Sequence, residues 1–189
     1  MPVENRSRVL RAATDSFLAH GYASSVDEIA RRAGVAKQIV YSHFPSKDAL
    51  FKAVANDLAH SVLVELEGGD LRATLVRFAL AYRSRALGRQ GIATFRTLLP
   101  EVPRFKAIAR SMYANTMGEM VRRLADHLGA SMRDGRLRRD DAELAAEMLL
   151  SMLAGVDRVK RLFCVENGVD NDERRTARIV DCFLRAYAP

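Results

Sequence analysis

Gln38 and Ser42 have the plainest chemistry in the chain. They stand four apart, and at about 100° per residue that spacing puts both on one face of a helix. Ala36, Val40 and Phe44 fall on the opposite side, with Ile39 and Tyr41 on the flanks. A helix that packs on one side and shows short polar groups on the other is suited to reading base-pair edges. The glutamine amide carries both a donor and an acceptor, and it pairs with adenine in bidentate fashion. Catalysis finds no such constellation. His20, His43, His60 and His127 lack the H-E-x-x-H spacing, and the sequence has no P-loop, no G-x-S-x-G and no dinucleotide fingerprint. Cys164 and Cys182 are far apart and without metal-ligand spacing, which reads as reduced thiols in a cytosolic protein. No catalytic residue, metal or cofactor is expected.

The polar pair sits in GVAKQIVYSHFPSK, residues 34–47. Just upstream, SSVDEIARRAG makes a second short helix, with Ser25 as N-cap and Glu28 as the return half of a capping box. Gly34 ends that helix in the left-handed conformation such exits need. Two short helices joined by a tight glycine turn form a helix-turn-helix. Residues 4–20 read as a first helix, with Val9, Leu10, Ala13, Phe17 and Leu18 as the core that supports it and Gly21 just past its end. Near its start, Arg6, Arg8 and Arg11 either reach a phosphate backbone or form a solvated face. Pro45 breaks the pattern, Ser46 caps a further helix running to about Leu66, and Lys47 falls in its first turn. A cation there opposes the helix dipole, whereas a bound phosphate reverses the balance.

Residues 6–52 resemble the DNA-binding head of the TetR family of transcriptional regulators. The matching residues are Ala12, Ala13, Phe17, Gly21, Tyr22, Val26, Ile29, Ala30, Ala33, Gly34, Val35, Lys37, Tyr41, His43, Phe44, Ser46, Lys47, Leu50 and Phe51. Ala36 and Ile39 depart from the usual serine and threonine. Loss of the capping hydroxyl at Ala36 weakens the recognition helix by about 0.5–2 kcal/mol, and Ile39 offers a thymine methyl an apolar contact instead. The resemblance implies a DNA surface of Ser25, Val26, Lys37, Gln38, Ile39, Tyr41, Ser42, His43 and Lys47. Gln38 is its first base contact, followed by Ser42 and Ile39. Lys37, Tyr41, His43 and Lys47 are assigned to phosphates, with closure of the small head's edge as the alternative for the Tyr41 and His43 rings.

Beyond the head, Glu67 to Asp70 marks the clearest break, a glycine pair followed by an N-cap. Helices are expected from Leu71 to Leu87, from Ile92 to Leu99, and as one long or kinked rod from Pro103 to Arg133. Asp140 with Glu143 opens another over residues 141–163, and Asp170 or Asn171 a last one over residues 172–187. The segments FRTLLPEVPRFKAIARSMY and RDGRLRRDDAELAAEMLLSMLAG resemble the regulatory domain of an AefR-like or AcrR-like branch of the same family, and within them Arg96 and Glu101 form either an ion pair or a solvated surface pair. Phe78, Tyr82, Phe95, Phe105, Met112, Tyr113, Met117, Met148 and Met152 are individually core residues or, as a set, the lining of a cavity for a small apolar effector. The last two helices either pack within the chain's own body or, as the resemblance implies, meet their symmetry mates in a homodimer, through Leu149, Leu153, Val156, Phe163, Ile179, Phe183 and Ala186.

The expected protein is all-α, with a three-helix helix-turn-helix head over residues 1–52 and a larger effector-binding and dimerisation body over residues 53–189. Of the formal charge of +7, residues 1–52 carry only +3, so charge alone does not mark the DNA surface. No apolar run is long enough to span a bilayer, and a cytoplasmic location follows. Two short recognition helices suit a dimer on a palindromic operator of double-stranded DNA, and the family resemblance implies a repressor, expected to be released by its effector. The alternative is a helical protein-binding adaptor that has lost specific DNA binding.

Overall fold

The local signals that start and stop helices account for most of the architecture. The computed structural model describes residues 2–103, 106–165 and 173–189, and the side chains at 2, 3, 97, 98, 101 and 108 lie outside the description. Among the described residues it is helical without strands: α1 Pro2–His20, α2 Val26–Ala33, α3 Lys37–His43, α4 Lys47–Leu63, α5 Leu71–Leu87, α6 Arg89–Leu98, α7 Lys106–Tyr113, α8 Glu119–Arg133, α9 Ala142–Leu162 and α10 Glu173–Ala186. The chain forms two compact units, residues 1–58 with 93–115 and residues 59–92 with 116–189.

In the first unit, Val9, Ala13 and Phe17 of α1 meet Ile29 of α2, Val40 and Phe44 around α3, and Leu50, Phe51 and Val54 of α4. Leu10 and Leu18 are half-buried. The Phe51 ring meets Phe17 edge-on at 5.0 Å, a preferred aromatic geometry. Met112 of α7 packs against this same cluster. In the second unit, Leu75, Phe78, Leu124, Leu128, Leu149, Leu153, Val180 and Phe183 are buried together from α5, α8, α9 and α10. Asp157 is buried there between two guanidinium groups, with Oδ2 3.0 Å from Arg83 and Oδ1 3.0 Å from Arg175. Such a buried carboxylate persists because its oxygens are paired.

Ser25 and Asp70 cap α2 and α5 through side-chain oxygens that accept from the amides of Glu28 and Ala73. Glu28 does not complete a capping box: its carboxylate pairs with Arg32 one turn on. The cap of α9 is Asp141, whose carboxylate accepts from the Glu143 and Leu144 amides, not Asp140. α6 starts at Arg89 and not at Ile92. A Cβ on Gly91 would overlap the carbonyl oxygen of Arg85, so this glycine serves the tight α5–α6 corner and lies within α6. The long rod is interrupted by a π-turn at Ala114–Gly118, where the Asn115 amide donates to the Ser111 carbonyl. Phe105, the Glu101 half of the Arg96 pair, and the opening of the last helix at Asp170 to Asp172 lie outside the described residues.

His127 on α8 has a buried Nε2 with no hydrogen-bond partner among the described residues. Burial, with the nearby Arg136 charge, holds its imidazole below the ordinary histidine range. The unfolded chain therefore protonates first as pH falls, and stability drops between the ordinary value and the lower folded one. Thermal melts should show a falling midpoint on acidification from neutrality, with a shallower fall for His127→Gln. Identical pH dependence in the two proteins would contradict this.

Candidate DNA-binding surface

α3 is held by its inner side. Val40 and Phe44 are buried in the first unit's core, while Gln38 and Ser42 are exposed on the outer side. Ile39 is half-buried and Tyr41 is 42% exposed. Ala36 is not on the core as the helical spacing suggested: it is the exposed N-cap of α3, with extended backbone and no side-chain cap bond. The turn before it depends on Gly34, at φ +64°. The Arg8 guanidinium donates to the Gly34 carbonyl at 3.1 Å, tying α1 to the turn.

The hydroxyl of Ser42 donates to the Ile39 carbonyl at 2.8 Å, which leaves its lone pairs to accept from a base amino group. Ser25 is exposed, and its oxygen is engaged in capping α2. Val26 is buried in the core, so its side chain has no face to offer DNA. Lys37 pairs with Asp27 at 2.9 Å, with both groups largely in water. That hydrogen bond and charge hold the Lys37 ammonium above the ordinary lysine range. Exposed pairs of this kind exchange readily for a phosphate, because solvent screens them.

His43 is half-buried, its ring 6.4 Å from that of Phe44. Ser46 caps the first turn of α4 through the Ala49 amide. Lys47, next in that turn, lies with Nζ 4.3 Å from the centre of the Tyr22 ring, and the Tyr22 hydroxyl donates to Asp48. Arg6 lies over the Phe44 ring. Sequence spacing gives no sign of the Tyr22–Lys47, Arg8–Gly34 and Lys37–Asp27 contacts, which join residues distant along the chain.

The body candidates are divided between the two units. Phe78 and Tyr82 are buried and stacked in the second unit's core, and Met117 is half-buried against it. In the first unit Phe95 and Met112 are half-buried and Tyr113 is exposed. Met148 and Met152 are exposed on α9. Met152 borders an open cleft of about 430 Å³ with Arg174, Arg175, Arg178, Ile179 and Cys182. Of the expected dimer residues, Leu149, Leu153 and Phe183 are buried in the chain's own core, and Ile179 is half-buried. Val156, Phe163 and Ala186 are exposed. Among the described residues, no group of acidic, histidine or cysteine side chains is arranged to hold a metal.

A helix pair crossed over a small core, with a polar recognition face on the second helix, defines a helix-turn-helix DNA-binding protein. Residues 9–54 match the profile of bacterial regulatory proteins of the tetR family, and residues 73–189 that of the AefR-like transcriptional repressor C-terminal domain. An HTH-type transcriptional regulator of Mycobacterium tuberculosis is 30% identical over 145 residues, covering 76% of this chain and 75% of that protein. The A-factor receptor protein of Streptomyces griseus is 33% identical over 93 residues, 47% of this chain but only 34% of the receptor, so the chain spans about a third of that relative. Among solved structures, the flavonoid-responsive regulator FrrA superposes with a TM-score of 0.72 at 31% identity, over 98% of this chain and 97% of that one. The chain belongs to the TetR family, a family of DNA-binding transcriptional regulators and not of enzymes.

Restoring a capping hydroxyl by Ala36→Ser should stabilise α3 by about 0.5–2 kcal/mol, read as a raised midpoint in denaturant unfolding. An unchanged or lowered midpoint would show that the α3 start is not limited by its missing cap.

Proposed function

We propose that the chain acts as a homodimeric repressor that grips a palindromic operator through α3 and lets go when a small lipophilic effector binds. The observation that carries this reading is the exposed polar side of α3 above a buried Val40 and Phe44. Gln38 reads a base edge, Ser42 and Ile39 add to it, and Ser25, Lys37, Tyr41, His43 and Lys47 hold phosphates, which set register and salt dependence but not sequence. Repression is favoured by the AefR-like repressor profile over residues 73–189. A cytoplasmic site of action goes with the proposed DNA partner. No helix among the described residues is long and apolar enough to cross a membrane.

Dimerisation is supported by α9. Leu144, Met148, Met152, Val156, Val159 and Phe163 form an exposed apolar stripe along it, with Val156 at 69% and Phe163 at 78% exposure. Gly155 lies within that stretch, and a Cβ there would meet nothing within 4 Å. A glycine inside a helix costs about 1 kcal/mol relative to alanine, and here the chain itself gives no packing reason for it. Close approach of a second α9 supplies one. Two copies then set two α3 helices about 34–36 Å apart, or a multiple of it, in successive major grooves.

We take residues 1–52 as the DNA-binding head and 53–189 as the effector and dimerisation body. The effector reading draws on FrrA, whose name describes it as flavonoid-responsive, and on the half-buried apolar side chains Phe95, Met112 and Met117. Met112 packs on the head core, which gives a movement of α7 a direct route to the helices it supports. A coupling of about 1–3 kcal/mol, or 5- to 150-fold in affinity, is enough to release an operator.

Gel shifts with the DNA upstream of the chain's own gene should show specific binding that Gln38→Ala weakens by about 5- to 150-fold for each half-site, the value of one bidentate base contact. Binding to no upstream sequence would instead favour a protein-binding adaptor. Val156→Asp combined with Phe163→Asp should convert a dimer to a folded monomer by light scattering and abolish specific binding. A dimer that survives both substitutions would place the interface elsewhere.

A further inference from the structure

A lysine in the first turn of a helix faces the positive end of the dipole, and Lys47 in α4 needs something to hold its ammonium there. The structure supplies an aromatic face: Nζ lies 4.3 Å from the Tyr22 ring centre, within the range in which a ring quadrupole attracts a cation. The ring is fixed at two points. Its hydroxyl donates to the carboxylate of Asp48, and the ring stands edge-on to Phe51 at 5.4 Å and 88°. Phe51 in turn meets Phe17 of α1. The platform under Lys47 is thus continuous with the core that holds α3.

We propose that Tyr22 is a positioning residue for DNA binding, its ring face presenting the Lys47 ammonium to a phosphate of the duplex backbone. The inference rests on reading Lys47 as a phosphate contact. Two electrostatic details agree with it. Burial holds the Lys47 ammonium below the ordinary lysine range, so it has lost part of its water shell before any phosphate arrives. Burial and the bond to Asp48 push the Tyr22 hydroxyl up to about 12, so it stays protonated as the donor that fixes the ring. Asp48, beside Lys47 and engaged by that hydroxyl, is held in a defined place near the ammonium. A preplaced cation surrenders less side-chain freedom on binding than a mobile one.

The test is a double-mutant cycle on affinity for mixed-sequence duplex DNA at low ionic strength, with folding of each variant checked by circular dichroism. Lys47→Gln should weaken binding and reduce the slope of log K against log salt by about 0.9 per bound protomer. Tyr22→Leu should weaken binding by about three- to tenfold, and Tyr22→Phe, which keeps the ring face, by less. In the double variant Tyr22→Leu should add nothing to Lys47→Gln, because it acts only through that lysine. If Tyr22→Leu does not fold, Tyr22→Met keeps a long apolar side chain against Phe51 and enters the same cycle. Additive losses would overturn the inference while leaving Lys47 as a phosphate contact. An unchanged salt slope in Lys47→Gln would overturn the phosphate reading itself.

Discussion

The burial of Val40 and Phe44 is the constraint from which the head takes its meaning. α3 is only Lys37–His43, too short to be stable alone, since isolated helices below about 12–15 residues are marginal in water. Its shape is therefore imposed by packing on α1, α2 and α4. The same packing decides which side chains remain outside, and Gln38 and Ser42 are on the solvent side because Val40 and Phe44 are not. Gly34 and the Arg8 hydrogen bond to its carbonyl fix the turn that sets the approach of α3. A recognition surface built this way is rigid for a reason external to itself. Side chains that reach base edges need that rigidity, because bidentate pairing tolerates little misplacement.

The second unit solves a different problem. It buries leucines, Phe78 and Phe183 around a paired Asp157, yet leaves a row of large apolar side chains on α9 in contact with solvent. Scattered apolar residues on a surface are ordinary, but a row along one helix is not. A chain whose own core is complete and which still shows such a row is read most simply as one half of an assembly. In the proposed dimer the head gains what one α3 lacks, a second copy at a fixed separation.

The fold was legible where its causes are local. Ser25, Asp70 and Gly34 announce helix ends through chemistry confined to three or four residues, and the structure uses all three in that way. Local signals fail where packing intervenes. The helix expected from Ile92 begins earlier, at Arg89, because the missing Cβ of Gly91 makes room at a corner. The π-turn at Ala114–Gly118 has no signature in the sequence, and Asp141 takes the capping role that its neighbour Asp140 promised. α9 is the clearest lesson. Periodicity marks Leu149, Leu153, Val156 and Phe163 alike as apolar, but it cannot say which belong to the chain's own core and which are left outside. The exposed polar face of α3 was legible because a two-turn helix has only one way to bury Val40 and Phe44. The Tyr22 platform under Lys47 was not, because it joins residues brought together by the fold.

The most direct measurement is hydroxyl-radical footprinting of the purified protein on its tightest genomic site. The account requires two protected segments related by a dyad, their centres one helical repeat of about 34–36 Å or a multiple of it apart, with both protections lost together on Gln38→Ala. A single protected segment without dyad symmetry, or protection indifferent to Gln38, would contradict it.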